Sequence, residues 1–326
     1  MTRRLAFGVD LGGTNVRVAL GDERGRILAR LSEKTQTKMG PEGVSKQIIR
    51  MIRSVRIEGL KLGDIEGVSI GSAGPLDIKK GGLMKPTNIP YDFVPLVEPL
   101  EESLGLKTLL LNDCTTAVMG EKFFGAGKEA ENLVYVTIST GIGGGVYVDN
   151  HLLIGKDGNA HEIGHFTIDF DGRLVCGCGK RGHWEAYCSG RNIPDYVNLV
   201  LEEKSNEEIR RSLLAKIRGD EGGRITAKSL YEAAKNGDKL AMEIVEMIGN
   251  LNAVGFACVN DAYDPSLITV GGSVTLNNRE HVIEPIRRYM GEHSRNRIPE
   301  VNVTPLGEDI VFYGALANVF YQDQII

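Results

Sequence analysis

FGVDLGGTNVRVAL, Phe7 to Leu20, decides how the rest of the chain reads. An apolar run (Ala6, Phe7, Val9) ends in Asp10, meets Gly12-Gly13, and is followed at once by the alternating Val16, Val18 and Leu20. That pattern predicts a β-hairpin. Two glycines let the backbone approach a ligand with no Cβ in the way, and Thr14 and Asn15 add short polar groups. The exposed amides of such a turn suit an anion such as phosphate, and Asp10 is placed to hold a divalent cation against it. Taken alone, the segment reads equally well as an ordinary tight hairpin with a solvated Asp. Recurrence separates the two readings. LVYVTISTGIGGGVYVDNHLL, Leu133 to Leu153, again has an apolar strand, then Ser139, Thr140, Gly141, Gly143, Gly144 and Gly145, then an alternating strand. Two phosphate-loop hairpins in one chain predict two similar lobes facing one nucleotide.

The bulk composition bounds this reading. With 326 residues, 42% hydrophobic and 25% charged, the chain has the length and make-up of a soluble protein of two ordinary lobes. A net charge of −5 argues against nucleic acid or an acidic membrane surface as the main partner. No apolar run of about 18 residues is present, and MTRRLAFGVD passes straight into the first strand, so neither a transmembrane segment nor a signal peptide is expected. Five unevenly placed cysteines do not make a disulfide framework, which leaves a reducing cytoplasm as the expected setting.

Between and beyond the hairpins the pattern alternates strands and helices. Arg26 to Thr35 reads as a third strand, and Pro41 opens a helix with Val44, Ile48, Met51, Ile52 and Val55 on one face, closed at Gly59. A buried strand, Ile65 to Ile70, runs into GSAGPLD, a loop at a strand end, where open α/β sheets place ligands. Lys79 to Pro99 reads as a long irregular loop, of a length more often functional than idle. Thr108 to Leu111 is a short strand ending at Asn112-Asp113, with a helix from Thr115 to Phe124, so that Asp113 could be no more than an N-cap. After Gly190 the chain is mostly helical: Ile193 to Glu203, Glu207 to Ile217, Ala227 to Asn236 and Lys239 to Asn260. A strand (Leu267 to Val270) meets Gly271-Gly272-Ser273, and a helix (His281 to Met290), a strand (Val301 to Pro305) and a last helix (Ile310 to Tyr321) complete it.

Potential ligands crowd into Ala160 to Gly190. HEIGH, His161 to His165, fits the zinc-protease pattern, with Glu185 as a possible third ligand. Gly164 inside the motif, and the strand-like alternation after it, count against the helix that this chemistry requires. Cys176, Cys178, His183 and His165 offer instead two thiolates and two imidazoles, a closed tetrahedral set suited to structural zinc, unless they are idle surface groups.

DLGGTN (Asp10 to Asn15), GPLD (Gly74 to Asp77), LND (Leu111 to Asp113), STGIGGG (Ser139 to Gly145), EIGH (Glu162 to His165) and CGCGKRGHWEAYCSG (Cys176 to Gly190) occur in an order that resembles the ROK family of sugar kinases and related repressors. The resemblance runs over almost the whole chain. It implies an α/β, actin-like (ribonuclease-H-like) ATPase fold, two lobes with the active site in the cleft: 1–113 as the first lobe, with a last helix at 310–326 packing back on it, and 114–326 as the second, with a zinc segment at 161–188. It further implies Asp113 as general base and Asn112 as its neighbour on the sugar. Glu162, His165 and Glu185 would bind sugar hydroxyls, joined by Asn88 and the backbone at Gly74. Gly12, Gly13, Thr14, Thr140, Gly141 and Gly143 would meet the phosphates of Mg²⁺-ATP near Asp10 and Asn15, and Gly271-Gly272 would lie by the adenosine. Two departures stand out: His183 replaces the usual third zinc cysteine, and His161 stands where a glycine commonly precedes the Glu of EIGH.

The chemistry agrees with that assignment. Phosphoryl transfer needs positioning and charge neutralisation more than covalent catalysis, which glycine-loop amides and Mg²⁺ provide. An ordinary carboxylate is ionised at neutral pH and can accept a hydroxyl proton. Zinc on one nitrogen of His165 would fix the ring so that the other faces a hydroxyl. The expected function is therefore ATP-dependent phosphorylation of the 6-hydroxyl of an aldohexose, glucose above all, by a dimer or tetramer. An N-acetylmannosamine or N-acetylglucosamine kinase is the alternative. A sugar-responsive repressor would need a helix-turn-helix ahead of the first strand, where nine residues precede Asp10. That reading and the zinc protease are the remote ones.

Overall fold

In a computed structural model, residues 3–57, 61–86, 88–220 and 224–324 are described. The chain divides into two compact units, 1–135 with 145–161 and 304–326, and 136–144 with 162–303. The first unit thus runs past residue 113, the lobe boundary expected from sequence. The helix after Asp113 packs against the last helix of the chain, and that packing holds both in the first unit.

The opening hairpin is as the sequence predicts. β1 (Leu5–Leu11) and β2 (Asn15–Asp22) pair antiparallel, Asp10 opposite Arg17, and β3 (Ile27–Lys34) adds to β2. α1 (Gly43–Ser54) buries the predicted face, including Val44, Ile48, Met51 and Ile52. It ends at Ser54, with Val55 as its cap, ahead of Gly59, which lies outside the described residues. β4 (Ile65–Ser72) joins β1 in parallel. The Lys79 to Pro99 segment is more regular than expected. β5 (Leu76–Asp77), β6 (Gly82–Met84) and β7 (Phe93–Pro95) form a small antiparallel sheet, and α2 (Val97–Leu104) begins before the segment ends. β8 (Thr108–Asn112) completes the main sheet in the order β3-β2-β1-β4-β8, and α3 (Asp113–Phe123) follows without a loop. β1 is central and has no exposed face, which is why Leu5, Ala6, Phe7, Val9 and Leu11 are all buried. Burial of each of the larger of these, the Leu, Val and Phe side chains, contributes about 1.5–3 kcal/mol. The C-terminal helix (Ile310–Phe320) packs on β1 and β4.

A second sheet has the order β11-β10-β9-β12-β13, from β9 (Leu133–Ile138), β10 (Ile142–Val148), β11 (His151–Leu152), β12 (Leu267–Gly271) and β13 (Glu300–Val303). The helices of the second unit are α4 (Glu185–Cys188), α5 (Ile193–Glu202), α6 (Asn206–Arg211), α7 (Leu213–Asp220), α8 (Ala227–Lys235), α9 (Lys239–Tyr263), α10 (Ser273–Asn277) and α11 (Arg279–His293). One expected helix, Glu207 to Ile217, is two. The chain breaks at Ser212, where Asp238 takes the Ser212 hydroxyl at 2.8 Å and the Leu213 amide at 2.6 Å. By length and composition α9 is apolar enough to cross a membrane, but 56% of its most apolar window is buried inside the protein, where it packs on α8 and α11.

Candidate functional site

In the first unit the glycine turn is held from outside. Gly12 N–H donates to Asn15 O at 2.9 Å, Thr35 N–H to Thr14 O at 2.9 Å, and the Thr35 hydroxyl to Gly12 O at 2.8 Å. Thr35, at the end of β3, is thus a clamp on the loop that sequence reading missed. It could have been found by pairing Asn15 with Lys34, which puts Thr35 opposite Thr14. A Cβ on Gly13 would fall 2.3 Å from the Asn88 amide nitrogen, so Asn88 lies directly on the turn.

Asp10 projects from β1 into a crowded corner, its side chain 16% exposed. Burial pushes its pKa up, while Arg17 across the hairpin pulls it down and Asp309 adds a smaller upward push. The Arg17 guanidinium bonds only Oδ2 of Asp10, and it also donates to Glu308 O at 2.9 Å and lies over the Phe312 ring. No donor among the described residues reaches Oδ1, so that oxygen keeps its acceptor capacity.

At the end of β8 the helix cap is Asn112, not Asp113. Asn112 Oδ1 accepts from Cys114 N at 2.8 Å and Thr115 N at 3.3 Å, and Asp113 Oδ1 also accepts from Cys114 N at 2.8 Å. Because the cap consumes the Asn112 oxygen, its amide nitrogen is the group left for a ligand. Asp113 is the first residue of α3 and is half-buried.

In the second unit the loop after β9 is tied at several points. Glu185 Oε2 accepts from Ile142 N at 2.9 Å, and Gly190 N donates to Ser139 O at 2.7 Å. A Cβ on Gly141 would meet Glu185 Oε2 at 2.6 Å, so the carboxylate packs directly on the loop that carries Thr140 and Gly141, while Gly143 lies just beyond it in β10. Gly272, at φ +85°, lies on the same loop from the other side: a Cβ there would come 2.5 Å from Ile138 O. The adjoining Ser273 hydroxyl is 3.0 Å from that of Ser139.

The zinc expectation has a geometric test. The ligand atoms of His165, Cys176, Cys178 and His183 all lie within 4.8 Å of one another. Cys176 Sγ is 3.6 Å from His165 Nδ1 and Cys178 Sγ is 3.3 Å from His183 Nδ1. Tetrahedral zinc with ordinary bond lengths spaces its ligands by about 3.3–3.8 Å, so these two pairs already meet the spacing and the wider ones have to close by about 1 Å on an ion. Burial and the neighbouring His165 push His183 below the usual imidazole range, toward the neutral form that ligates. Burial pushes the Cys176 thiol up to about 11, so loading a metal must displace a proton there. With Nδ1 of His165 turned to this cluster, its Nε2 faces Glu162 at 3.7 Å. Glu162, 51% exposed, is pushed upward by the atoms crowding its carboxylate, with His165 opposing and Glu185 adding to the rise.

HEIGH is not a protease helix. Ile163–His165 is a single 3-10 turn, and His161, at φ +48°, turns away to donate from Nε2 to Leu153 O at 2.7 Å.

The profile described as "ROK family" matches residues 6–317. A glucokinase of Pyrobaculum calidifontis is 34% identical over 314 residues, 96% of this chain and 94% of its own. A ROK family glucokinase from Streptomyces griseus, solved with glucose and AMPPNP, is 32% identical with a TM-score of 0.77 over 98% of this chain and 99% of its own. A ROK hexokinase from Thermus thermophilus is 29% identical with a TM-score of 0.75 over 98% and 99%. The fold is accordingly the actin-like ATPase fold of these sugar kinases. By sequence over nearly its whole length, and by structure, this chain belongs to the ROK family.

Proposed function

We propose that the protein is an ATP-dependent sugar kinase that phosphorylates the 6-hydroxyl of an aldohexose, with glucose as its preferred acceptor. The observation that carries this is the kinship at 34% identity over 96% of the chain with a glucokinase, in a protein whose Asn112-Asp113 pair stands at a strand-to-helix junction with the carboxylate half-buried. Asp113 accepts the hydroxyl proton as the sugar oxygen attacks the terminal phosphate. Asn112, through its amide nitrogen, holds a hydroxyl of the same sugar. Gly74, Asn88, Glu162, His165 and Glu185 are assigned to the remaining sugar contacts. A site built to bond each hydroxyl rejects a sugar lacking one, because the unpaired group costs about 1–3 kcal/mol.

Backbone amides at Gly12, Gly13 and Thr14, and at Thr140, Gly141 and Gly143, receive the phosphates, with Asn15 completing the first turn. Gly271 and Gly272 border the adenosine. Asp10, through its open Oδ1, would hold Mg²⁺, which when bound would supply neutralisation of phosphate charge. His165, Cys176, Cys178 and His183 would hold structural zinc, which when bound would fix the orientation of the His165 ring. A dimer or tetramer remains part of the proposal, read by light scattering of the eluted protein.

The test is ADP release from Mg-ATP with glucose, mannose, fructose, N-acetylglucosamine and N-acetylmannosamine, with phosphorus NMR locating the new ester. Glucose as best acceptor, phosphorylated at the 6-position, supports the reading. Preference for an N-acetylhexosamine moves it to the alternative kinase class, and no stimulation by any sugar removes it.

A further inference from the structure

One edge of the small sheet is completed by a side chain. β5 is an outer strand, and the Leu76 peptide groups turned away from β6 find no neighbouring strand among the described residues. Asn159 supplies both missing partners: its Oδ1 accepts from Leu76 N at 2.8 Å, and its Nδ2 donates to Leu76 O at 2.9 Å. A carboxamide carries a donor and an acceptor as a peptide group does, so one side chain stands in for a strand.

The segment presenting Asn159 is itself fastened. Ala160 N donates to Ile154 O at 3.2 Å, and His161 Nε2 donates to Leu153 O at 2.7 Å. A histidine keeps its left-handed backbone only when its surroundings hold it there. Gly158, at φ +87°, lets the segment press on the loop after β5, since a Cβ there would fall 2.5 Å from Ile78 Cγ2. The clamped residues adjoin Gly74. A Cβ on Gly74 would lie 3.2 Å from Asn159 Oδ1 and 4.0 Å from Asn112 Nδ2, so two amides flank this glycine.

We propose that Asn159 is a positioning residue for sugar recognition: it fixes the backbone of Gly74 to Leu76 against Asn112, so that this loop distinguishes sugars differing at one ring hydroxyl. The inference rests on the sugar-kinase reading above and adds to it a residue that touches no reacting atom.

Asn159→Ala and Asn159→Asp test it, the second keeping the acceptor for Leu76 N but setting a carboxylate against Leu76 O. Both raise the sugar KM roughly tenfold, the scale of a lost hydrogen-bonded pair, and narrow the preference for glucose over mannose. The ATP KM stays within about twofold, and the Leu76 amide exchanges faster with solvent. Asp261→Ala, which removes acceptors for Ser294, Arg295 and Asn296 in the second unit, is the control for general loosening and leaves the sugar preference unchanged. Parent-like sugar KM and preference in the Asn159 variants overturn the proposal even if Leu76 exchange quickens, and so does an equal rise in both KM values. If the parent phosphorylates no sugar, the kinase reading fails first. Sugar binding by calorimetry then decides separately: affinity weakened in Asn159→Ala keeps the positioning role, and unchanged or absent binding removes it.

Discussion

Gly141→Ala is the smallest change that should couple the second glycine loop to the sugar carboxylate. The backbone at Gly141 is outside the left-handed region, so alanine carries no conformational penalty there, and the effect comes from contact alone. The added methyl would sit 2.6 Å from Glu185 Oε2, closer than any real contact, and 3.4 Å from its Cδ, an ordinary contact, so the carboxylate end of Glu185 has to move. Glu185 must therefore swing away from the Ile142 amide that it holds at 2.9 Å. A hydrogen bond to a charged group is worth about 1.5–3 kcal/mol, which corresponds to a fall of about 10- to 100-fold in kcat/KM. Because Glu185 is also assigned to the sugar, the sugar KM should rise along with the loss at the phosphate loop. Steady-state kinetics varying sugar and ATP in turn reads both. Gly63→Ala, where nothing among the described residues lies within 4 Å of the new methyl, serves as the neutral comparison. Parent-like KM values for both substrates in Gly141→Ala would refute the coupling.

Three further predictions concern metal, pH and the core. Cys178→Ser, or prolonged chelation, should remove about one zinc per chain by elemental analysis and lower the unfolding temperature, because a structural site contributes its binding energy to folding; metal content near zero in the parent would contradict the assigned quartet. Asp22 is fully buried, which raises its pKa, but hydrogen bonds from the Arg26 and Arg24 amides and the Arg3 and Arg26 guanidinium groups outweigh that and hold it low. Its stabilisation is therefore complete above the unfolded carboxyl value of about 4 and is lost as pH falls through the lower folded value, so Asp22→Asn should flatten the acid limb of a stability-against-pH curve. Trp184, the one tryptophan, donates its indole N–H to Asn252 at 2.9 Å in the core. Asn252→Leu should cost about 1–3 kcal/mol and shift the tryptophan emission, and an unaltered denaturation midpoint would count against a dry site.

Much of the fold was legible because its decisive segments are local. Alternating Val16, Val18 and Leu20 after a double glycine can be little else than a hairpin, and the zinc quartet lies in one short stretch. The small sheet was not legible. Its strands are two or three residues long in a Pro- and Gly-rich segment, and its outer edge is satisfied by Asn159, distant in sequence. The break between α6 and α7 was hidden for the same reason, since Asp238 makes it from the cap of another helix. In the site, residues carrying family motifs were found and those that hold them were not. Thr35 and Arg17 belong to no motif; they became visible only when pairing of β1, β2 and β3 set them against Thr14 and Asp10. Asp113 itself was read correctly as a junction residue, while the capping role fell to its neighbour Asn112.

Sugar-dependent ADP formation by the parent and by Asp113→Asn, at saturating glucose and Mg-ATP, tests the central claim most directly. The amide keeps the size of the carboxylate but cannot accept the proton, so turnover should fall by about 10²–10⁴-fold while calorimetry shows glucose still bound. Turnover in Asp113→Asn close to that of the parent would contradict the assignment of Asp113 as the base.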